Sequence, residues 1–261
     1  MFHRDEVELV LRGKRAWSPI PGKRALIWVI SNSETIEAAE LRSYSHAFIA
    51  SPTFLDRVVG SIDSSSLLLQ CTDGTRFSPG TSRGGGSCLF VGNRRKEAPR
   101  EVVSGATAAG HTVEVWGRGW TNHLPPEQLA GQHIDNGQLA DFYRKAAVVL
   151  NDHTSAMRAD GFVSNRVFDV AACATPLVTE EMEGIPSEFR PHLFLYRSLP
   201  EVGEAVERAL ASSPEDELAR LALAETVLQS HTFDQRAEEI LKTVLEGTPE
   251  HSPTGADSRM A

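Results

Sequence analysis

Residues 160–184 read DGFVSNRVFDVAACATPLVTEEMEG. Ser164 fits an N-cap, because its hydroxyl can accept from a free N–H of the first helical turn. Asn165 opens the helix, and Val167, Phe168, Ala171 and Ala174 then fall on one apolar face. A short turn through Thr175 and Pro176 leads into a strand, PLVT. A helix feeding straight into an apolar strand is one step of a parallel α/β sheet. Asp169 sits in the body of that helix, beside the apolar stripe and away from any cap. A hydroxyl-bearing ligand such as a ribose is one partner for it, and solvent is the other.

Working outward, short apolar runs alternate with helical patterns. The runs predict strands over 7–11, 25–30, 47–50, 67–71, 88–91, 112–116, 147–151, 176–179 and 193–196. Leu139, Phe142, Tyr143 and Ala146 share one helical face, as do Val202, Ala205, Val206, Ala209 and Leu210. Residues 73–87, rich in Gly, Pro and Ser, interrupt the alternation and mark a boundary. Two helices close the chain, over 215–229 and 232–245. The second carries a stripe of Phe233, Ala237, Ile240, Leu241 and Val244 that the sequence predicts to be buried. From 248 onward Pro, Ser, Gly and charges predict a disordered tail.

The 26 basic and 35 acidic residues give a net charge of −9. That balance disfavours non-specific nucleic-acid binding, which depends on neutralising phosphates. Cys71, Cys88 and Cys173 lack paired spacing and read as reduced core thiols. Nine scattered histidines show no metal-ligand spacing, so no metal site is expected. No apolar run reaches the ~20 residues of a membrane span, and a cytoplasmic protein is expected.

A second stretch has chemical content. The strand CLFV at 88–91 ends in Gly92, followed by Asn93, Arg94, Arg95 and Lys96, and Pro99 stands near the start of a helix that Gly110 would close. A glycine turn, helix N–H groups and cations at a strand's carboxyl end suit a diphosphate. A solvated basic loop is the alternative.

The segment NRVFDVAACATPLVTE resembles retaining GT-B glycosyltransferases, in which an acidic residue precedes an Ala-Cys-Gly-Thr-Pro-type turn. The Ser-Asn-Arg-hydrophobic-Phe-acid run is similar to the spore-maturation-type members. VGNRRK looks like the glycine turn after the first strand of their second domain, VEVWGRGW like its second strand, and LADFYRKAAVVLN like the helix and strand before the donor loop. The likeness implies two Rossmann-like parallel-sheet domains of the GT-B class, the first incomplete. They would be a partial acceptor-side domain over 1–75, a linker over 76–87, and a nucleotide-sugar-binding domain with closing helices over 88–247, with the tail at 248–261. It implies transfer of a sugar from a nucleotide diphosphate sugar to an acceptor, without a metal or other cofactor. Arg94 and Lys96 would offset charge on the departing diphosphate, near Gly92 and Asn93. Asp169 would bond the ribose, Asp160, Gly161 and Phe162 would face the sugar and phosphates, and Ser164, Asn165 and Arg166 would lie beneath at the helix N-terminus.

Three departures qualify the likeness. Ala174 replaces a common glycine, tolerable where the backbone stays near helical. The spacing from Asp160 to Asp169 is one residue longer than usual. Only the last strands of the first domain are expected, so a homodimer or partner chain is a candidate to complete the cleft. A non-catalytic nucleotide-sugar-binding remnant and a sugar-nucleotide epimerase are the rival functions.

Overall fold

The computed structural model describes residues 7–80, 85–95 and 99–246. Its first sheet has four parallel strands in the order β1-β2-β3-β4: β1 (Val7–Arg12), β2 (Arg24–Val29), β3 (His46–Ile49) and β4 (Ser65–Leu67). β2 reads RALIWV and β3 HAFI, both buried almost throughout, as strands covered on both faces must be. Helices α1 (Ala38–Arg42) and α2 (Pro52–Val58) cover one face. In α2, Ser51 accepts from Phe54 N–H at 3.1 Å and Pro52 takes the first helical position, two starting signals in three residues.

The second sheet has six parallel strands: β5 (Cys88–Val91), β6 (Val113–Trp116), β7 (Leu129–Gly131), β8 (Val148–Leu150), β9 (Leu177–Glu180) and β10 (Phe194–Tyr196). Their order, β10-β9-β8-β5-β6-β7, is doubly wound and reverses direction between β5 and β8. Helices α3 (Glu101–Ala108), α4 (Leu139–Lys145), α5 (Ser155–Ala159), α6 (Asn165–Ala172), α7 (Glu201–Leu210) and α8 (Pro214–Ser230) belong to this half of the chain. The α/β, two-sheet expectation therefore holds. β7, only three residues long, has too little pattern to be read from sequence.

The last helix, α9 (Phe233–Glu246), departs from expectation twice. It lies on the first sheet, where Ile240 and Val244 pack with Leu26, Trp28, Phe48, Leu68 and Cys71. It is tied there by Arg24 to the carbonyl of Val244 (2.8 Å) and by Arg236 to the carbonyl of Leu69 (2.7 Å). Its buried line is Arg236 and Ile240, while Phe233 and Leu241 are 50% and 57% exposed. The buried guanidinium is satisfied by backbone carbonyls and His231, so a charged residue stands where pattern reading placed apolar ones. The apolar run at 67–71 has the same origin: Leu68 and Cys71 are buried under α9, while β4 pairing stops at Leu67. The tail expected over 248–261 lies outside the described residues.

Ala174 adopts φ +55°, the left-handed region, and not a helical conformation. The chain turns sharply from α6 into β9 at this point. A glycine would adopt that conformation without strain, whereas Ala174 costs about 1–2 kcal/mol.

Candidate functional site

In an open α/β sheet the crevice lies outside the carboxyl ends of the strands where their order reverses. Here that place is the ends of β5 and β8. After β5, the Gly92 N–H donates to the Trp116 carbonyl (2.7 Å), and its own carbonyl accepts from the Trp120 indole (2.8 Å). Gly117, at the matching turn after β6, comes so close that a Cβ there would sit 2.1 Å from the Gly92 oxygen. Only glycine fits between the two turns. Asn93 Oδ1 accepts from Arg118 N–H (2.8 Å) and Arg94 N–H donates to the Arg118 carbonyl (2.9 Å), so Arg94 and Arg118 share one corner. Lys96 lies outside the described residues.

Arg95 instead reaches toward β8. Its guanidinium meets Asp152 Oδ1 at 3.2 Å, and Arg100, at the start of α3, meets the same oxygen at 2.7 Å. The Asp152 side chain is 1% exposed, and Oδ2 has no partner among the described residues. Burial pushes its pKa up, against the pull of Arg100 and Arg95. Beside it, burial would raise the Glu180 pKa, but hydrogen bonds from His153 (N–H at 2.6 Å, Nδ1 at 3.0 Å) and the charge of Arg158 hold it below the ordinary range. His153 Nε2 accepts from the Ser164 N–H (3.1 Å), which leaves Nδ1 to carry the proton toward Glu180.

These groups wall a cleft of about 870 Å³ between the two sheets. Its lining takes Arg95, Pro99 and Glu101 from the stretch between β5 and α3, Asp152 and Glu180 from the ends of β8 and β9, Thr154 at the N-cap of α5, Ser155 and Arg158 of α5, and Glu34 from the turn after β2. Sequence reasoning misses Asp152 and Glu180; each is the first acid after a short apolar strand, and that placement is the signal that could find them.

The expected site residues divide into groups. Gly92, Asn93 and Arg94 lie at the carboxyl end of β5, but Arg95, not Arg94, reaches the cleft. Arg166 spans the switch point, donating to Asn151 Oδ1 (3.0 Å) and to the Val91 carbonyl. Ser164 is the N-cap residue of α6, yet its hydroxyl makes no capping bond and lies 3.5 Å from Asn151 Oδ1.

Asp160, Gly161 and Phe162 face the first unit instead of an open donor pocket. Asp160 is paired bidentately with Arg57 of α2, and its carbonyl accepts from Ser51. Burial raises its pKa, but the Arg57 bonds outweigh this and leave it lowered. A Cβ on Gly161, at φ +71°, would come within 2.8 Å of Thr53 Oγ1. Phe162 is 0% exposed and packs on Phe54, with ring centroids 5.4 Å apart, in the core of the first sheet. Its side chain therefore offers no surface to a ligand; burying a large aromatic ring between the units outweighs leaving it at an open loop.

Asp169 is 5% exposed. Oδ1 accepts from Thr72 Oγ1 (2.6 Å), in the segment joining the sheets, and Oδ2 accepts from Asn165 Nδ2 (3.3 Å). Burial pushes its pKa up to about 7, against Thr72 and Arg166. Among the described residues, no cluster of three or more His, Cys, Asp or Glu could hold a metal ion, and no helix is long and apolar enough to cross a membrane.

The architecture matches solved glycosyltransferases of the GT-B fold. A sucrose-phosphate synthase from Thermosynechococcus elongatus superposes with a TM-score of 0.64 at 14% identity, over 86% of this chain and 68% of that one. Anabaena Alr3699/HepE in complex with UDP-glucose gives 0.63 at 10% identity, over 86% and 72%. An α,α-trehalose-phosphate synthase from Burkholderia xenovorans in complex with glucose-6-phosphate gives 0.61 at 12%, over 87% and 69%. No curated protein matches the chain by sequence. The family model described as glycosyl transferase-like matches residues 94–242, from the turn after β5 into α9. That match spans more than half of the chain, and the chain belongs to the glycosyl transferase-like family.

Proposed function

We propose that the chain is a glycosyltransferase that binds a nucleotide diphosphate sugar across the ends of β5, β6 and β8 and passes its sugar to an acceptor entering between the two sheets. The observation that carries this reading is the cleft at the switch point of a doubly wound sheet, lined by Arg95, beside two turns that meet at Gly92 and Gly117 and carry Arg94 and Arg118 joined through their backbones. The diphosphate lies on that corner, where the cations and backbone N–H groups stabilise charge as the bond to the sugar breaks. Lys96 belongs to the same turn by sequence, and no metal is needed for this task. The likeness assigns the ribose to Asp169, whose carboxylate is held here by Thr72 and Asn165. The Ser164–Asp169 run supports the retaining, spore-maturation-type branch.

One observation favours a second reading, a nucleotide-sugar-binding module without transfer. The loop expected to face the sugar, 160–162, is committed to Arg57, Ser51 and Phe54 of the first unit. Calorimetry with UDP, GDP, ADP and dTDP and their sugar esters tests what the two readings share. Binding of at least one is expected, weakened by about 1–3 kcal/mol in each of Arg94→Ala and Arg95→Ala. Affinity unchanged in the double variant removes the corner from the site. Release of nucleoside diphosphate from the bound ester then separates transferase from binding module.

A further inference from the structure

The cleft has a charge pattern of its own. Four carboxylates line it, Glu34, Glu101, Asp152 and Glu180, against two guanidinium groups, Arg95 and Arg158. Both cations are engaged, Arg95 with Asp152 and Arg158 with Glu101 and Glu180. Glu34 is exposed and has no ion-pair partner among the described residues. Asp152 adds a buried acceptor, Oδ2, with no donor to it among the described residues. Buried polar atoms are satisfied in the great majority of cases, so an orphan in the lining of a cleft points to a donor that arrives with a ligand. Arg94 and Arg118 lie on the β5 and β6 turns, while three of the four carboxylates, Asp152, Glu180 and Glu34, follow β8, end β9 and follow β2; the fourth, Glu101, opens α3 and is paired with Arg158. A ligand with an anionic end and a hydroxyl-rich end fits this division in one orientation.

We infer that the acidic cleft is the sugar subsite and that it selects an uncharged, polyhydroxylated sugar over a carboxylated one, with Glu34 and Asp152 setting the choice. This rests on the donor reading above. Sugar hydroxyls donate to Asp152 Oδ2 and to the Glu34 carboxylate. A uronic-acid carboxylate brings a like charge against the same groups, with no unengaged cation on the described walls to meet it.

The test uses whichever of UDP, GDP, ADP and dTDP binds, compared by calorimetry with its glucosyl and glucuronosyl esters. The glucosyl ester is expected to bind more tightly than the free nucleotide and about tenfold more tightly than the glucuronosyl ester at low salt. Glu34→Gln, on an exposed turn, should narrow that gap about threefold, and so should raising the salt from about 0.05 to about 0.5 M, because exclusion by charge is screened while exclusion by shape is not. Asp152→Asn, checked for folding by its melting curve, should weaken the glucosyl ester more than the free nucleotide. Equal affinity for the two esters, a gap that neither Glu34→Gln nor salt moves, or no gain from the glucosyl group overturns the sugar subsite while leaving nucleotide binding intact. Failure of every nucleoside diphosphate to bind overturns the donor reading itself.

Discussion

Replacing Asp169 with asparagine tests how the two halves of the molecule are joined. Asp169 belongs to α6 of the second unit, and Thr72 to the segment leaving the first. Burial pushes the carboxyl from an ordinary 3.8 to about 7, even with Thr72 and Arg166 favouring the charged form. A folded pKa above the unfolded one means that the native state holds the proton more tightly. Stability is then greatest below about pH 4, falls as the pH rises toward 7, and levels off above it. The shift is about three units, and at ~1.4 kcal/mol per unit the full penalty at pH 8 is about 4 kcal/mol. The Asp169→Asn side chain keeps an acceptor for Thr72 and carries no charge. In urea unfolding at pH 5 and pH 8, the stability of this variant relative to the native protein should therefore rise by about 2–3 kcal/mol. Taking the difference between the two proteins cancels the contributions of His231 and Asp160, whose pKa values are lowered in both. A difference that stays constant across this range would refute the buried-carboxyl account of the junction. Asp169→Ala has a different signature, since it strands the Thr72 hydroxyl and costs about 1–3 kcal/mol.

Other substitutions probe the same framework. Ala174→Gly relieves a left-handed alanine and, after the entropy cost of glycine, should raise stability by about 0.5–1 kcal/mol; a loss in thermal unfolding contradicts the strain. Gly161→Ala places a Cβ 2.8 Å from Thr53 Oγ1 at φ +71° and should cost about 1–3 kcal/mol in urea unfolding, where a neutral result refutes the close contact. Arg57→Met leaves the Asp160 carboxylate without its guanidinium and should cost about 1–3 kcal/mol at pH 7, and less as the pH falls below the ordinary carboxyl range, where the unpaired carboxyl is neutralised before the paired one; a pH-independent cost contradicts the pairing.

Much of the fold is legible in local pattern. Strands β5, β6 and β9 are apolar runs bounded by Gly or Pro, and the α6–β9 step is written in 25 consecutive residues, 160–184. Gly92, Arg94 and Arg95 follow directly on β5, because a strand end fixes that turn locally. What local pattern does not carry is the partner of each polar group. Asp160 meets Arg57 and Asp169 meets Thr72 across sequence separations of 103 and 97 residues, and no spacing within 160–184 reports either contact. Phe162 looks like a loop residue and behaves as core, because the surface that buries it belongs to α2. Arg236 escapes notice beside an apolar stripe, because burial of a guanidinium depends on carbonyls at Leu69 and Ser230 that only the fold brings near.

The most direct measurement is an experimental structure of the protein with a bound nucleotide diphosphate sugar. The account predicts the diphosphate within hydrogen-bond reach of Arg94, Arg95 or the N–H groups of the turn after Gly92, and the sugar in the cleft beside Asp152, Glu180 and Glu34. A diphosphate bound away from the ends of β5 and β6, or a sugar directed away from that cleft, would contradict it.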